Sequence, residues 1–272
     1  MLQAHEHGPV RYFALGKSWA GRTVMSSGVY FVDGTLIDTG PANAQVQFAA
    51  VLGRVDAEQV VLTHHHEDHT GNAVFAANHL DRPPLAHGLA LPLLRNPRPL
   101  PLYRRMVWGS APALAAEALG KTLHTPSHTF EVLHTPGHAP DHVALYEPDE
   151  RWLFVGDLYI SPRLAVMQPD EDAGKLIGSL RRLLTLPDCT LFCQHTGVHH
   201  SHQQRLGAKL DFLLGVQREA RVMHEEGCTV AEITRRLGIE KPMIKVLSGG
   251  ELSARNLVRA LLRASGVAVR NG

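Results

Sequence analysis

From Val29 to Thr39 the chain reads VYFVDGTLIDT, two apolar runs around Asp33-Gly34, a pair suited to a tight hairpin turn with positive φ. Ala42, Val46, Ala49, Ala50 and Leu52 are spaced for a helix over 42–53, and Val60-Val61-Leu62 reads as a short buried strand. That strand leads directly into Thr63 and a run of histidines, after which a helix over 71–79 is expected. Between 129 and 156, TFEVLHT, HVALYE and RWLFVG read as three strands, with a turn at Pro148-Asp149-Glu150. A helix over 172–186, a strand over 190–193 and a long helix over 202–226 complete this part. The pattern fails between 81 and 128, where prolines crowd and periodicity is weak. It predicts a long loop there with one helix near Pro112 to Leu119. A loop of that length in a compact domain suits a lid or binding element.

The tail reads differently. Thr229-Val-Ala-Glu232 is a capping box that opens a short amphipathic helix stopped by Gly238. After the Gly249-Gly250 break, Glu251 to Ala264 predicts a second helix, followed by VAVRNG. Residues 229–272 carry eight Lys/Arg against three Glu, so a basic module follows a mildly acidic body. The division expected is a catalytic domain over 1–226 and a small helical module over 227–272.

Composition changes this picture little. A 44% hydrophobic and 19% charged chain of 272 residues is an ordinary globular protein. A net charge of +1 makes no general case for nucleic acid or membrane. No apolar stretch reaches bilayer-spanning length, and MLQAHEHGPV lacks the basic and apolar regions of a secretory leader. Cys189, Cys193 and Cys228 form no paired framework, which suits a reducing compartment. These features together lead us to expect a cytoplasmic protein. Eighteen histidines are many, and only their spacing carries information.

The chemistry concentrates in Thr63-His-His-His-Glu-Asp-His-Thr-Gly71. Imidazole nitrogen and carboxylate oxygen are the donors that borderline cations such as Zn²⁺ favour. In His64-x-His66 alternate side chains of an extended segment point the same way, so both can grip one ion. Asp68 and His69 come where the backbone bends and can face a second ion. Three downstream residues also follow strands: His138 in Thr135-Pro-Gly-His138, Asp157 after WLFVG, and His195 after TLFCQ.

With Asp38 in LIDTG, the HxHxDH run, His138, Asp157 and His195 in that order, the chain resembles the metallo-β-lactamase-fold superfamily over roughly Val29 to Gly197. The resemblance implies an α+β fold, a four-layer αββα sandwich, here with a small winged-helix-like C-terminal module. It implies two divalent metal ions, Zn²⁺ first with Mn²⁺ or Fe²⁺ as alternatives. His64, His66 and His138 would hold one ion, Asp68, His69 and His195 the other, and Asp157 would bridge them. Asp68 would also hold and relay the proton of the attacking water. Asp38 would orient the loop and its histidines from behind. His66 stands where the di-iron flavoprotein branch has a carboxylate.

There are departures. Many relatives read Pro-Gly-His-Gly where this chain has Cys193-Gln194-His195-Thr196-Gly197, so His199, His200 and His202 are alternatives to His195. Tyr159 and His142 are candidates for contacting substrate or protonating a leaving group. Tyr103, Met106, Val107 and Trp108 are candidates for lining a pocket. The expected activity is hydrolysis of a small-molecule ester, thioester or lactone, similar to the glyoxalase II and lactonase branches. A second reading is an endoribonuclease whose tail binds RNA, because Arg255, Arg259 and Arg263 repeat every four residues along one helix face. A third is a mono-iron persulfide dioxygenase. The tail could equally join two copies in a homodimer.

Overall fold

The computed structural model describes residues 4–19 and 22–269. The chain divides into two compact units, the first formed by residues up to 134, 141–157 and 189–200, the second by 135–140, 158–188 and 201–272.

In the first unit a seven-stranded sheet contains β1 (Ala4–His7), β2 (Val10–Trp19), β3 (Arg22–Val32), β4 (Thr35–Ile37), β5 (Gln59–Leu62), β6 (Leu85–Ala86) and β7 (Glu117–Ala118), in sequence order across the sheet. The first four strands pair antiparallel and the last four parallel. Asp33 and Gly34 turn β3 into β4 with φ of 46° and 75°, the two positive angles this hairpin type requires. A six-stranded sheet contains β8 (Thr122–His124), β9 (Thr129–His134), β10 (Val143–Glu147), β11 (Trp152–Phe154), β12 (Thr190–Cys193) and β13 (Gly197–His199), with only β11 and β12 parallel.

Side chains alternate across the first sheet, so the strands from β2 to β5 serve two cores. Phe13, Leu15, Val29, Phe31, Leu36, Val60 and Leu62 pack with α1 (Gln45–Leu52), α3 (Ala73–Leu80) and α4 (Ala90–Arg95). Tyr12, Tyr30, Val32, Ile37 and Val61 pack with Phe130, Leu145, Trp152, Phe154 and Phe192 of the second sheet. Burial on both faces explains why these strands read as unbroken apolar runs. The unit is thus three layers, helices on sheet on sheet.

The expected helix near 112–119 is absent. The backbone there bonds instead to neighbours, with Leu114 N–H to Leu94 O, Glu117 N–H to Pro84 O and Leu119 N–H to Ala86 O. Sheet extension overrode the helix propensity of its alanines. The helices of the insert are α4 and α5 (Leu102–Trp108), with Pro92 in the first turn of one and Pro101 at the N-cap of the other, positions where proline is tolerated. The helix expected over 71–79 is α3, and a separate single turn, α2 (Glu67–Thr70), precedes it.

The second unit is helical: α6 (Ala173–Leu183), α7 (His202–Glu225), α8 (Val230–Arg236), α9 (Pro242–Leu247) and α10 (Ala254–Ala264). Asp172, Ser201, Thr229 and Ser253 cap four of them, and Thr229 forms the full capping box with Glu232. α10 buries Leu257, Val258, Leu261 and Leu262 against α6, α7 and α8. The wing anticipated from VAVRNG is not formed over 267–269, and 270–272 lie outside the described residues. Among the described residues no helix is long and apolar enough to cross a membrane.

The Pro136-Gly137-His138 loop belongs to this unit and is pinned to α6. Ser179 Oγ donates to Pro136 O at 2.7 Å and Asp172 N–H to Gly137 O at 2.8 Å. A Cβ on Gly137 would lie 2.4 Å from the Leu176 backbone, and its φ of 143° disfavours any side chain. Gly137→Ala is therefore expected to destabilise the protein by roughly 2–5 kcal/mol, measured by urea unfolding. An unchanged midpoint would mean that the loop is free to move off the helix.

Candidate metal centre

The ligand loop starts where β5 ends. Thr63 N–H donates to Asp38 Oδ1 at 2.8 Å, which stops the strand and turns the chain. His64 follows in a bend and His66 in extended backbone, their rings 4.6 Å apart. His66 then caps α2, whose single turn closes through His69 and Thr70 N–H on His66 O, both 3.0 Å. That turn brings Asp68 and His69 round, and the His64 and His69 rings stand 4.3 Å apart.

Asp157 follows β11, its N–H donating to His142 Nε2 at 3.1 Å. His195 follows β12, and its loop is held although the usual Pro-Gly turn is missing. Gly28 N–H donates to Gln194 O at 2.6 Å, and the Tyr12 and Tyr30 hydroxyls donate to the carbonyls of Gln194 and Cys193. A Cβ on Gly28 would meet the Tyr12 ring at 2.0 Å, so this close approach of strand to loop needs glycine.

These elements bring Asp68, His69, Asp157 and His195 together, with one donor atom from each within 4.8 Å of all the others. His69 Nε2 lies 3.2 Å from Asp157 Oδ1 and 3.7 Å from Asp68 Oδ2. His195 Nε2 lies 3.1 Å from Asp157 Oδ1 and 3.4 Å from Asp68 Oδ2. A tetrahedral shell with Zn–N and Zn–O bonds of about 2.0–2.2 Å sets its donors roughly 3.3–3.6 Å apart, so the spacing suits one cation among the four.

The opposite ring nitrogens agree. His69 Nδ1 lies 2.8 Å from Asp38 Oδ2, His195 Nδ1 2.8 Å from Ser26 O, and His64 Nδ1 3.1 Å from the Thr63 hydroxyl. An oxygen acceptor at each Nδ1 places the proton there and leaves the Nε2 lone pair for a cation. The donor set therefore fits the borderline divalent ion the sequence implies.

Asp38 organises this arrangement. Fully buried and at φ 62°, it also accepts from the Thr63 hydroxyl and, through Oδ2, from Gln194 Nε2 at 2.9 Å. Electrostatics follow from the crowding. Burial alone would raise Asp68 and Asp157, but His69 and His195 beside them hold both carboxyls below the usual range, Asp157 well below. Burial would likewise lower His69, and Asp157, Asp38 and Asp68 instead hold it well above its ordinary value. Asp157 and Asp68 do the same for His195. Two carboxylates facing two imidazoles thus form a cluster in which protons and a cation compete.

His138 lies in the second unit, on the loop pinned to α6, with Nδ1 3.4 Å from Glu171 Oε1. His199 pairs with Thr196, His200 is exposed, and His202 is buried against Leu183 O, so His195 is the histidine of that region that joins the acidic residues. His142 and Tyr159 are both buried, which does not suit the substrate-facing roles considered for them. Sequence reading missed Gln194, whose only hint was its place before His195. It also missed the pairing of Glu67 with Arg104, at 2.6 and 2.7 Å, where burial pushes the Glu67 carboxyl up and Arg104 pulls it down. On α10, Arg259 and Arg263 line a groove with Asp170, Glu171 and Asp172, an acidic complement that weakens the case for a polyanion there.

Residues 23–195 match the family model described as the metallo-beta-lactamase superfamily. The chain is 28% identical over 185 residues to the probable metallo-hydrolase YybB of Bacillus subtilis, covering 63% of this chain and 79% of that one. It is 28% identical over 158 residues to a hydroxyacylglutathione hydrolase of Hamiltonella defensa, covering 58% of this chain and 55% of that one. The chain thus spans about half the length of that relative. In three dimensions it is similar to a beta-lactamase domain protein from Burkholderia ambifaria, with a TM-score of 0.77, 17% identity, and coverage of 98% and 90% of the two chains. The chain belongs to the metallo-β-lactamase superfamily and has its fold, with a helical C-terminal module. Proteins named as hydrolases are among its relatives.

Proposed function

We propose that the chain hydrolyses a small-molecule ester, thioester or lactone with two divalent cations, Zn²⁺ first among them. The observation that carries this reading is the convergence of Asp68, His69, Asp157 and His195, with the Nε2 atoms of both histidines turned inward. Divalent cations bound there would supply a lowered water pKa and a Lewis acid for the scissile oxygen. Asp68, His69 and His195 would hold one ion, His64, His66 and His138 the other, and Asp157 would serve both. Asp68 positions the attacking water, takes its proton and returns it to the leaving group. Asp38 and the Thr63 hydroxyl keep the imidazoles in the tautomer that leaves Nε2 open. Acyl substrates come first because hydroxyacylglutathione hydrolases are among the relatives.

The test is metal analysis of purified protein together with a panel of thioesters, esters, lactones and single-stranded RNA. About two Zn²⁺ or Mn²⁺ per chain and turnover of an acyl substrate support the proposal. RNA cleavage abolished by deleting residues 227–272 would replace it with the nuclease reading. A single iron with oxygen uptake on a persulfide would replace it with the dioxygenase.

A further inference from the structure

Glu67 stands between two residues of the ligand loop, His66 and Asp68, yet its carboxylate is turned away to Arg104. It is 3% exposed and accepts from Arg104 Nε at 2.6 Å and from Nη2 at 2.7 Å. Two parallel charge-assisted bonds fix orientation as well as distance. Arg104 belongs to α5, a helix with no buried residue, whose Leu102 and Met106 are 70% and 63% exposed. With Tyr103, Val107 and Trp108 only half-buried, polar contacts take a larger share in seating α5. Its polar attachments include the Arg104 fork and Asn43 Nδ2 donating to Val107 O. Trp108 lies four residues after Arg104, on the same helix face. Its ring is 6.3 Å from that of His195. One face of one short helix thus reaches the ligand loop at one end and His195 at the other.

We propose that the Arg104–Glu67 pair is a latch that seats α5 beside the Asp68–His69–Asp157–His195 group and sets Trp108 next to His195 as a wall of the substrate pocket. Arg104 is then a positioning residue, acting through Glu67 and α5 rather than on substrate. The fork matters as well as the charge, so lysine is a poor substitute. The word substrate rests on the hydrolase reading above, whereas the latch itself rests on contacts within the chain.

The test uses the full chain and needs no substrate. Tryptic cleavage after Arg105 is timed, and quenching of Trp108 emission by added Co²⁺ is taken as the difference from Trp108→Phe. Glu67→Gln and Arg104→Gln are each expected to speed cleavage about tenfold or more, by raising the open population of the insert. Each is also expected to lose most of the Co²⁺ quench, with Arg104→Lys recovering little of either. The double variant should behave like either single one, because both remove the same interaction. If Glu67→Gln lowers Co²⁺ content, Arg104→Gln, which leaves the ligand loop unaltered, decides. Wild-type cleavage and quenching in Arg104→Gln overturn the latch, as do fully additive effects in the double variant. Failure of the hydrolase reading would appear in the substrate panel and leave these measurements unchanged.

Discussion

If the proposed two-ion site is right, Asp157→Ala is expected to reduce bound metal from two ions per chain to one or fewer and to slow hydrolysis on the order of 10³-fold, several kcal/mol of barrier. Its Oδ1 lies 3.2 Å from His69 Nε2 and 3.1 Å from His195 Nε2, at the middle of the group. Asp68 Oδ2 is farther from both, at 3.7 and 3.4 Å. The substitution should spare the fold, because the backbone of Asp157 is anchored separately through its N–H to His142. Metal analysis, circular dichroism and turnover of an acyl substrate check the three parts of this expectation. Full metal content with full activity would show that Asp157 does not bridge.

Asp38 should separate stability from metal affinity. In Asp38→Ala, the Thr63 N–H and hydroxyl, His69 Nδ1–H and the Gln194 amide all lose their buried acceptor. Unsatisfied buried donors cost about 1–3 kcal/mol each, and a left-handed φ adds strain for alanine, so a loss of about 4 kcal/mol or more is expected. That is comparable with the whole stability of many domains. Asparagine tolerates the φ of 62° and keeps one carbonyl oxygen. Its amide nitrogen, however, faces either the Thr63 donors or those of His69 and Gln194. Asp38→Asn should therefore fold but bind metal about 10–100-fold more weakly, the usual effect of losing a group that orients a ligand. Urea unfolding and competition with a chromophoric chelator measure the two quantities. Equal metal affinity in wild type and Asp38→Asn would remove Asp38 from the orienting role.

Much of the fold was legible because its signals are local. The Asp33-Gly34 hairpin, β5, the strands between 129 and 154, α6 and α7 announce themselves through turn residues and apolar period. The insert was misread because its decisive bonds are long-range. Residues 114–119 have the composition of a helix, but their backbone groups find partners on Leu94, Pro84 and Ala86. Prolines that looked like loop punctuation instead start helices.

His195 shows the same division within the site. Its sequence context lacks the Pro-Gly turn, and its placement depends on Gly28 of β3, the hydroxyls of Tyr12 and Tyr30, and Ser26 O. Those residues lie more than 160 positions away, and nothing near Gln194 reveals them. The sequence by itself determined which side chains could serve as ligands, because ligand type and spacing along one loop are local properties of the chain. It also carried the unbroken apolar runs that fill two cores on one sheet. The tertiary structure alone decided which nitrogen of each imidazole faces the centre, that Asp38 ties three segments together, and that Glu67 serves the insert helix. Those choices rest on hydrogen bonds between segments far apart in sequence, and their geometry exists only once the chain has folded.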